Sequence, residues 1–154
     1  MNKKLKTQNN IITKNSKATE NLGQLMAKEL NGGETLALLG NLGAGKTTFL
    51  KGLAKGLGIK QTITSPTFVL IKVYPVKKKN IKQLVHVDCY RLPALELMAI
   101  GLNDYLNDPH TIVAIEWANK IKLPPKTIAI KFLHHKNPNQ RTITWSKKFN
   151  KKVY

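Results

Sequence analysis

"LALLGNLGAGKTTFLKGL", from Leu36 to Leu53, decides how the rest of the chain is read. Within it, Gly40 to Thr47 fits G-x-x-x-x-G-K-[ST] without a mismatch. An apolar run, Thr35 to Leu39, precedes the motif as a buried strand should, and a helix-compatible run, Thr47 to Leu57, follows it. That strand–loop–helix context is what a phosphate-binding loop requires. Gly40, Gly43 and Gly45 allow left-handed backbone and a close approach to a ligand. The amides of Gly43, Ala44 and Gly45, with the positive end of the helix, then converge on phosphate oxygens. Lys46 adds a charge at the β- and γ-phosphates, and the Thr47 hydroxyl suits Mg²⁺. The stretch predicts a nucleotide-binding chain.

Composition bounds the alternatives. With 154 residues the chain suits one domain with a core of its own. The single Cys89 rules out a disulfide framework and points to a reducing compartment. No run approaches the roughly 20 apolar residues of a membrane span. "MNKKLKTQNN" is basic, but neither an apolar core nor a small-residue cleavage site follows, so the expected location is the cytoplasm. The formal charge of +18 comes from 26 basic and 8 acidic side chains, with Arg91 and Arg141 as the sole arginines. Such a balance suits a polyanion partner, and equally suits solvated lysines spread over every face. The scarce acids say more, because Asp88 and Glu116 each close an apolar, strand-like run.

The chain reads as a flexible N-terminal segment (1–15), a core domain (16–146) and a basic tail (147–154). Ser16 is the expected N-cap of a helix through Leu30, stopped by Gly32-Gly33. Thr67–Tyr74 alternates as a strand, "KKKN" (Lys77–Asn80) turns, and "KQLVHVDCY" returns as its hairpin partner. Pro93 to Leu106 reads as helical. "TIVAIEW" (Thr111–Trp117) is a near-continuous apolar strand, as in a sheet covered on both faces. Two more strands, "TIAIKFLHH" and "RTITWSK", follow Pro124-Pro125. The predicted fold is α/β, a P-loop NTPase-like mixed sheet flanked by helices in a single domain.

Three further stretches narrow the chemistry. "TSPTF" (Thr64–Phe68) offers hydroxyls where many nucleotide switches sense the γ-phosphate. "VHVDCYR" and "VAIEWAN" each end an apolar strand in a carboxylate, which can hold Mg²⁺ or orient an attacking water. A small-molecule kinase shares the loop but needs arginines for a lid, and two arginines leave little to build one. A nucleotide-gated binding module with incidental hydrolysis stays open as an alternative.

Together "GNLGAGKTT", "SPTF", "HVDCYR" and "IEW", in this order, resemble the TsaE (YjeE-like) family over about Ser16 to Arg141. The resemblance implies a weak, partner-stimulated ATPase needed for threonylcarbamoyladenosine modification of tRNA at adenosine 37. It implies ATP or ADP with Mg²⁺ as ligands and a TsaB–TsaD-like pair as partner, with tRNA met indirectly or at the complex and no membrane. By position it implies that Lys46 and the Gly43–Gly45 amides bind phosphates, and that Thr47 and Glu116 hold the metal. It sets Thr48 beside the α-phosphate and the adenine edge near Ser16. Lys46, Glu116 and Asp88 become the catalytic candidates, with Trp117 and the switch-like Thr67 beside the nucleotide. Asn41 departs from the family's usual Asp, and "PALELMAIG" is shorter and poorer in acid than usual.

Overall fold

A computed structural model describes residues 9–65, 71–91, 96, 99 and 101–146. Along the chain run β1 (Asn9–Thr13), α1 (Ser16–Lys28), β2 (Thr35–Leu39), α2 (Lys46–Gly56), β3 (Ile71–Lys78) and β4 (Ile81–Asp88). There follow α3 (Leu102–Leu106), β5 (Thr111–Glu116), a single 3-10 turn (Ala118–Lys120), β6 (Ile128–His134) and β7 (Arg141–Trp145). The seven strands form one sheet in the order β1-β7-β6-β2-β5-β4-β3. The four middle strands β6, β2, β5 and β4 run parallel, while β3 at one edge and β7 and β1 at the other add antiparallel pairs. This is the expected α/β domain with a mixed sheet.

Burial explains the middle of the sheet. Every residue of β5 is buried, as its unbroken apolar run demands. One face packs Leu38, Ile112 and Phe132 beneath α1 and α2. The other packs Ala37, Val113 and Ile115 against Leu102 of α3 and Ala118 of the 3-10 turn. The rings of Phe49 on α2 and Phe132 on β6 meet edge-to-face at 5.4 Å, fixing the helix that follows the glycine loop. The two long helices touch backbone to backbone. A Cβ on Gly23 of α1 would lie 2.1 Å from the Phe49 carbonyl oxygen, and one on Gly52 of α2 would lie 1.8 Å from that of Glu20. No other residue fits at either position without pushing the helices apart.

Several boundaries differ from expectation. The segment expected to fray contains β1, which pairs with β7 along its whole length. Thr13 at its end shares a 2.8 Å hydroxyl contact with Thr19 of α1. The N-cap of α1 is Asn15 rather than Ser16: the Asn15 Oδ1 accepts from the Ala18 amide at 2.8 Å. The helix ends at Lys28, short of Leu30. β3 runs on through Pro75 to Lys78, so the hairpin turn is shorter than "KKKN". An edge strand tolerates that proline because it has no inner ladder bond to donate, and the register shifts just beyond it. Leu102–Leu106 realises the end of the helix expected from Pro93, while 92–95, 97, 98 and 100 lie outside the described residues. So do Thr67–Leu70 of the expected strand and the tail 147–154.

Candidate functional site

The parallel strands β2, β4 and β5 end on the same rim, where an open α/β sheet presents its ligand crevice. From β2 the chain enters the glycine loop. Gly40 stands at φ 156°, Gly43 at 73° and Gly45 at 101°. Gly45 caps α2 in the left-handed region, and the space over Gly43 is open, with nothing within 4 Å of a built Cβ. The loop thus enters α2 through left-handed glycines, an arrangement suited to anions, and the Ala44 amide donates back to the Asn41 carbonyl at 3.1 Å.

Lys46, the first residue of α2, is 5% exposed. Its Nζ donates to the carbonyls of Gly40 (2.7 Å) and Asn41 (3.0 Å) and sits 4.4 Å from the centre of the Trp117 ring. Burial lowers its pKa, opposed by the charges of Glu116 and Asp88. The Thr47 hydroxyl donates to Glu116, 3.3 Å from Oε1 and 3.4 Å from Oε2. Glu116, at the end of β5, also meets the Nε2 of His86 at 2.9 Å. Asp88 is its register partner on β4. Asp88 accepts from the Ser65 hydroxyl at 3.0 Å and from the Tyr90 amide at 2.9 Å.

Trp117 follows Glu116 in the left-handed region, at φ 58°, the sole non-glycine there among the described residues. That conformation turns its ring back over the cavity, where it packs on Tyr90 at 4.9 Å between centroids. Lys120 donates to the Tyr90 carbonyl from the next turn. Trp117 and Tyr90, with Lys46, Thr47, Asp88 and Glu116, line a cavity of about 590 Å³ that also takes in Thr48, Ser65 and Arg91. A second cavity of about 390 Å³ shares Gly43, Gly45 and Thr48 with the first and extends to Asn15, Ser16 and Arg141.

The TsaE sequence profile, described as Threonylcarbamoyl adenosine biosynthesis protein TsaE, matches residues 13–143. The chain belongs to the TsaE family. A Nostoc sp. protein named tRNA threonylcarbamoyladenosine biosynthesis protein TsaE is 40% identical over 120 residues, 76% of this chain and 72% of its own length. The Bacillus subtilis protein of the same name is 37% identical over 136 residues, 87% of this chain and 82% of its own. The crystal structure of Bacillus subtilis YdiB superposes with a TM-score of 0.71 at 32% identity, covering 94% of this chain and 88% of that one.

For this TsaE-family chain, one cavity gathers Gly43, Ala44, Gly45, Lys46, Thr47, Thr48, Asp88, Glu116 and Trp117. Ser16 lies apart from them, on the second cavity. Thr67 lies outside the described residues. Sequence reasoning missed three neighbours. His86 was a signal in plain view, a polar residue inside an otherwise apolar strand. Arg141, counted only as one of two arginines, reaches the glycine loop: its Nη2 donates to the Gly43 carbonyl at 3.1 Å, and Nη1 to the Pro138 and Gln140 carbonyls. Tyr90, the platform for Trp117, gave no signal beyond its place after Asp88.

The donor set fits a hard divalent cation. Thr47 and Glu116 supply one hydroxyl and one carboxylate side by side, and no group of three or more His, Cys, Asp or Glu exists among the described residues. Mg²⁺ is commonly held in this way, by one or two protein oxygens with phosphate and water completing the shell.

Proposed function

We propose that the chain binds ATP with Mg²⁺ and hydrolyses it in the cytoplasm, in service of threonylcarbamoylation of adenosine 37 in tRNA. A TsaB–TsaD-like pair is the proposed partner, and tRNA is met at that assembly. Family membership supports the pathway, and one observation carries the chemistry. Lys46, Thr47 and Glu116 line one cavity at the start of α2, beside the glycine loop.

In this reading the Gly43, Ala44 and Gly45 amides and the Lys46 ammonium hold the phosphates, and Thr48 lies beside the α-phosphate. Thr47 and Glu116 hold Mg²⁺, which when bound neutralises charge on the phosphate oxygens. Asp88 acts in hydrolysis by ordering Ser65 and the Tyr90 turn at the edge of the reacting region. Trp117 walls that region off from water. Ser16 lies at the base end of the nucleotide, and Thr67 keeps its proposed switch role.

The test has two arms. Wild-type protein should gain roughly 2.7 kcal/mol in unfolding free energy at a hundredfold excess of Mg-ATP over Kd. Lys46→Ala should lose that gain, and also loosen the loop, because Nζ ties the Gly40 and Asn41 carbonyls. An equal gain in the mutant overturns the assignment. Steady-state phosphate release should be slow for the chain alone and should rise with the partner pair. In related NTPases a catalytic arginine supplied by a partner is worth about 10³–10⁵ in rate. Brisk turnover alone, lost in Arg91→Ala and indifferent to partners, would replace partner gating with a self-sufficient ATPase.

A further inference from the structure

His86 sits in the middle of the site's foundation, and none of the roles above uses it. It is fully buried on β4, two residues before Asp88, on the sheet face that α2 covers. Its strand neighbours in register are Lys72 on β3 and Ala114 on β5. Its Nε2 lies 2.9 Å from Glu116 Oε1. Its Nδ1 is buried and has no hydrogen-bond partner among the described residues. The ring therefore has one polar attachment, and that attachment is the carboxylate.

A buried polar side chain without full satisfaction is costly and calls for an explanation. An apolar residue at position 86 would fill the same place between Leu84 and Asp88 without leaving a nitrogen unpaired. Glu116 supplies the explanation. It is 4% exposed, so water cannot hold its carboxylate in one orientation. Thr47 reaches both oxygens at 3.3 and 3.4 Å, which leaves the carboxylate free to tilt about that contact. The His86 contact falls on Oε1 alone and is the shortest the carboxylate makes with a described side chain. It distinguishes the two oxygens: Oε1 is held by the ring as well as by Thr47, and Oε2 has the Thr47 contact alone among the described side chains.

We propose that His86 is a positioning residue for the metal carboxylate: its Nε2–H holds Glu116 Oε1 so that the carboxylate is presented, already oriented, beside the Thr47 hydroxyl. The inference rests on the reading of Thr47 and Glu116 as the Mg²⁺ ligands. It adds that the affinity of the site for Mg²⁺, more than its affinity for nucleotide, is set one layer below the cavity floor. Outer partners of this kind typically change metal affinity by 10–100-fold when removed. The phosphate contacts come from the glycine loop and Lys46, whose hydrogen bonds do not involve His86, so metal-free nucleotide binding should be left alone.

The test is a calorimetric titration of a non-hydrolysable ATP analogue, first in excess chelator and then across a range of Mg²⁺ concentrations. Three proteins are compared: wild type, His86→Leu, which fills the volume without a donor, and His86→Gln, whose amide nitrogen reaches about as far as Nε2. Thermal unfolding without ligand confirms that each is folded. The expected result is the same affinity in chelator for all three, a 10–100-fold higher Mg²⁺ requirement for His86→Leu, and a requirement near wild type for His86→Gln. An unchanged Mg²⁺ requirement in folded His86→Leu overturns the proposal, as does a His86→Gln protein that behaves like His86→Leu. Should His86→Leu fail to fold, His86→Asn takes its place, since its shorter amide cannot span to Oε1. A wild-type protein whose nucleotide affinity ignores Mg²⁺ would instead overturn the ligand assignment itself, which separates the two failures.

Discussion

Asp88 and Glu116 are register partners at the ends of adjacent parallel strands, yet they are held in opposite ways. Glu116 is buried and meets side chains, the Thr47 hydroxyl and the His86 ring. Asp88 is half-buried and meets the pieces of chain that leave the sheet, Ser65 before β3 and the Tyr90 amide just after β4. One carboxylate is clamped by the framework; the other clamps loops. A charge in a dry, fixed setting is suited to holding a cation, whereas a charge at the mouth of two loops is suited to deciding where those loops lie. Strand position alone does not assign a role, and the immediate donors do.

Glu116→Gln should break that comparison hardest. The amide keeps the shape and loses the charge, so phosphate release should fall roughly 10²–10³-fold, the range for removing one preorganised group that stabilises developing charge. Nucleotide should still bind through the loop and Lys46. Turnover equal to wild type would reduce Glu116 to a strand-end acid.

Trp117 sharpens the Glu116 side. Its φ of 58° carries a penalty that glycine escapes, so Trp117→Gly should be about 1–2 kcal/mol more stable than Trp117→Ala. Both lose the ring over Lys46, so their difference in chemical denaturation isolates the backbone. Equal stabilities would mean that the turn relaxes once the ring has gone.

Asp88→Ala tests the other carboxylate. Losing the two contacts, to Ser65 and to Tyr90, should cost about 1–2 kcal/mol at the net worth of two typical hydrogen bonds, the second of them exposed. In a domain of this size each kcal/mol lowers Tm by about 2–4 °C. Phosphate release should fall less than in Glu116→Gln. A fall as deep would place Asp88 on the reacting atoms.

The smallest effect belongs to Cys89, which joins the two sides: it follows Asp88 and donates its amide to the Glu116 carbonyl at 3.1 Å. Burial, and then the Asp88 charge, push its thiol from 9.0 up to about 11. The fold favours the protonated thiol, so this contribution to stability is complete below pH 9 and is lost as pH rises through about 11. Asp88→Asn removes the second cause, so the alkaline loss of Tm attributable to Cys89 should still begin near pH 9 but should be smaller and level off at slightly lower pH than in wild type. A shift to higher pH would contradict the electrostatic part.

The loop and the two carboxylates were legible because each obeys a local rule: glycines at fixed spacing, and an acid closing an apolar run. β5 was legible for the same reason, since burial on both faces leaves an unbroken apolar string. β1 was not. "NNIIT" has too few apolar residues to announce itself, and it becomes a strand because β7 offers a free edge. Asn15 and Ser16 are both good caps, and packing of Thr19 against Thr13 decides between them. Arg141 could not be read as a neighbour of Gly43, because the contact depends on β6 and β7 standing beside β2, which no local pattern encodes. His86 could be seen but not assigned until the register set it beside Glu116.

The pairing of β1 with β7 also sets an order of events during synthesis. Asn9 finds its partner in Trp145, and Thr13 in Arg141, so a nascent chain makes its first strand long before it makes the strand's neighbour. Until β7 leaves the ribosome, the glycine loop is complete in sequence, but the guanidinium that holds the Gly43 carbonyl has not been translated. Full shaping of the phosphate-binding end therefore waits for nearly the last of the described residues. A transcript cut shortly before Arg141 would yield a protein with all its catalytic letters and no closed edge to hold them.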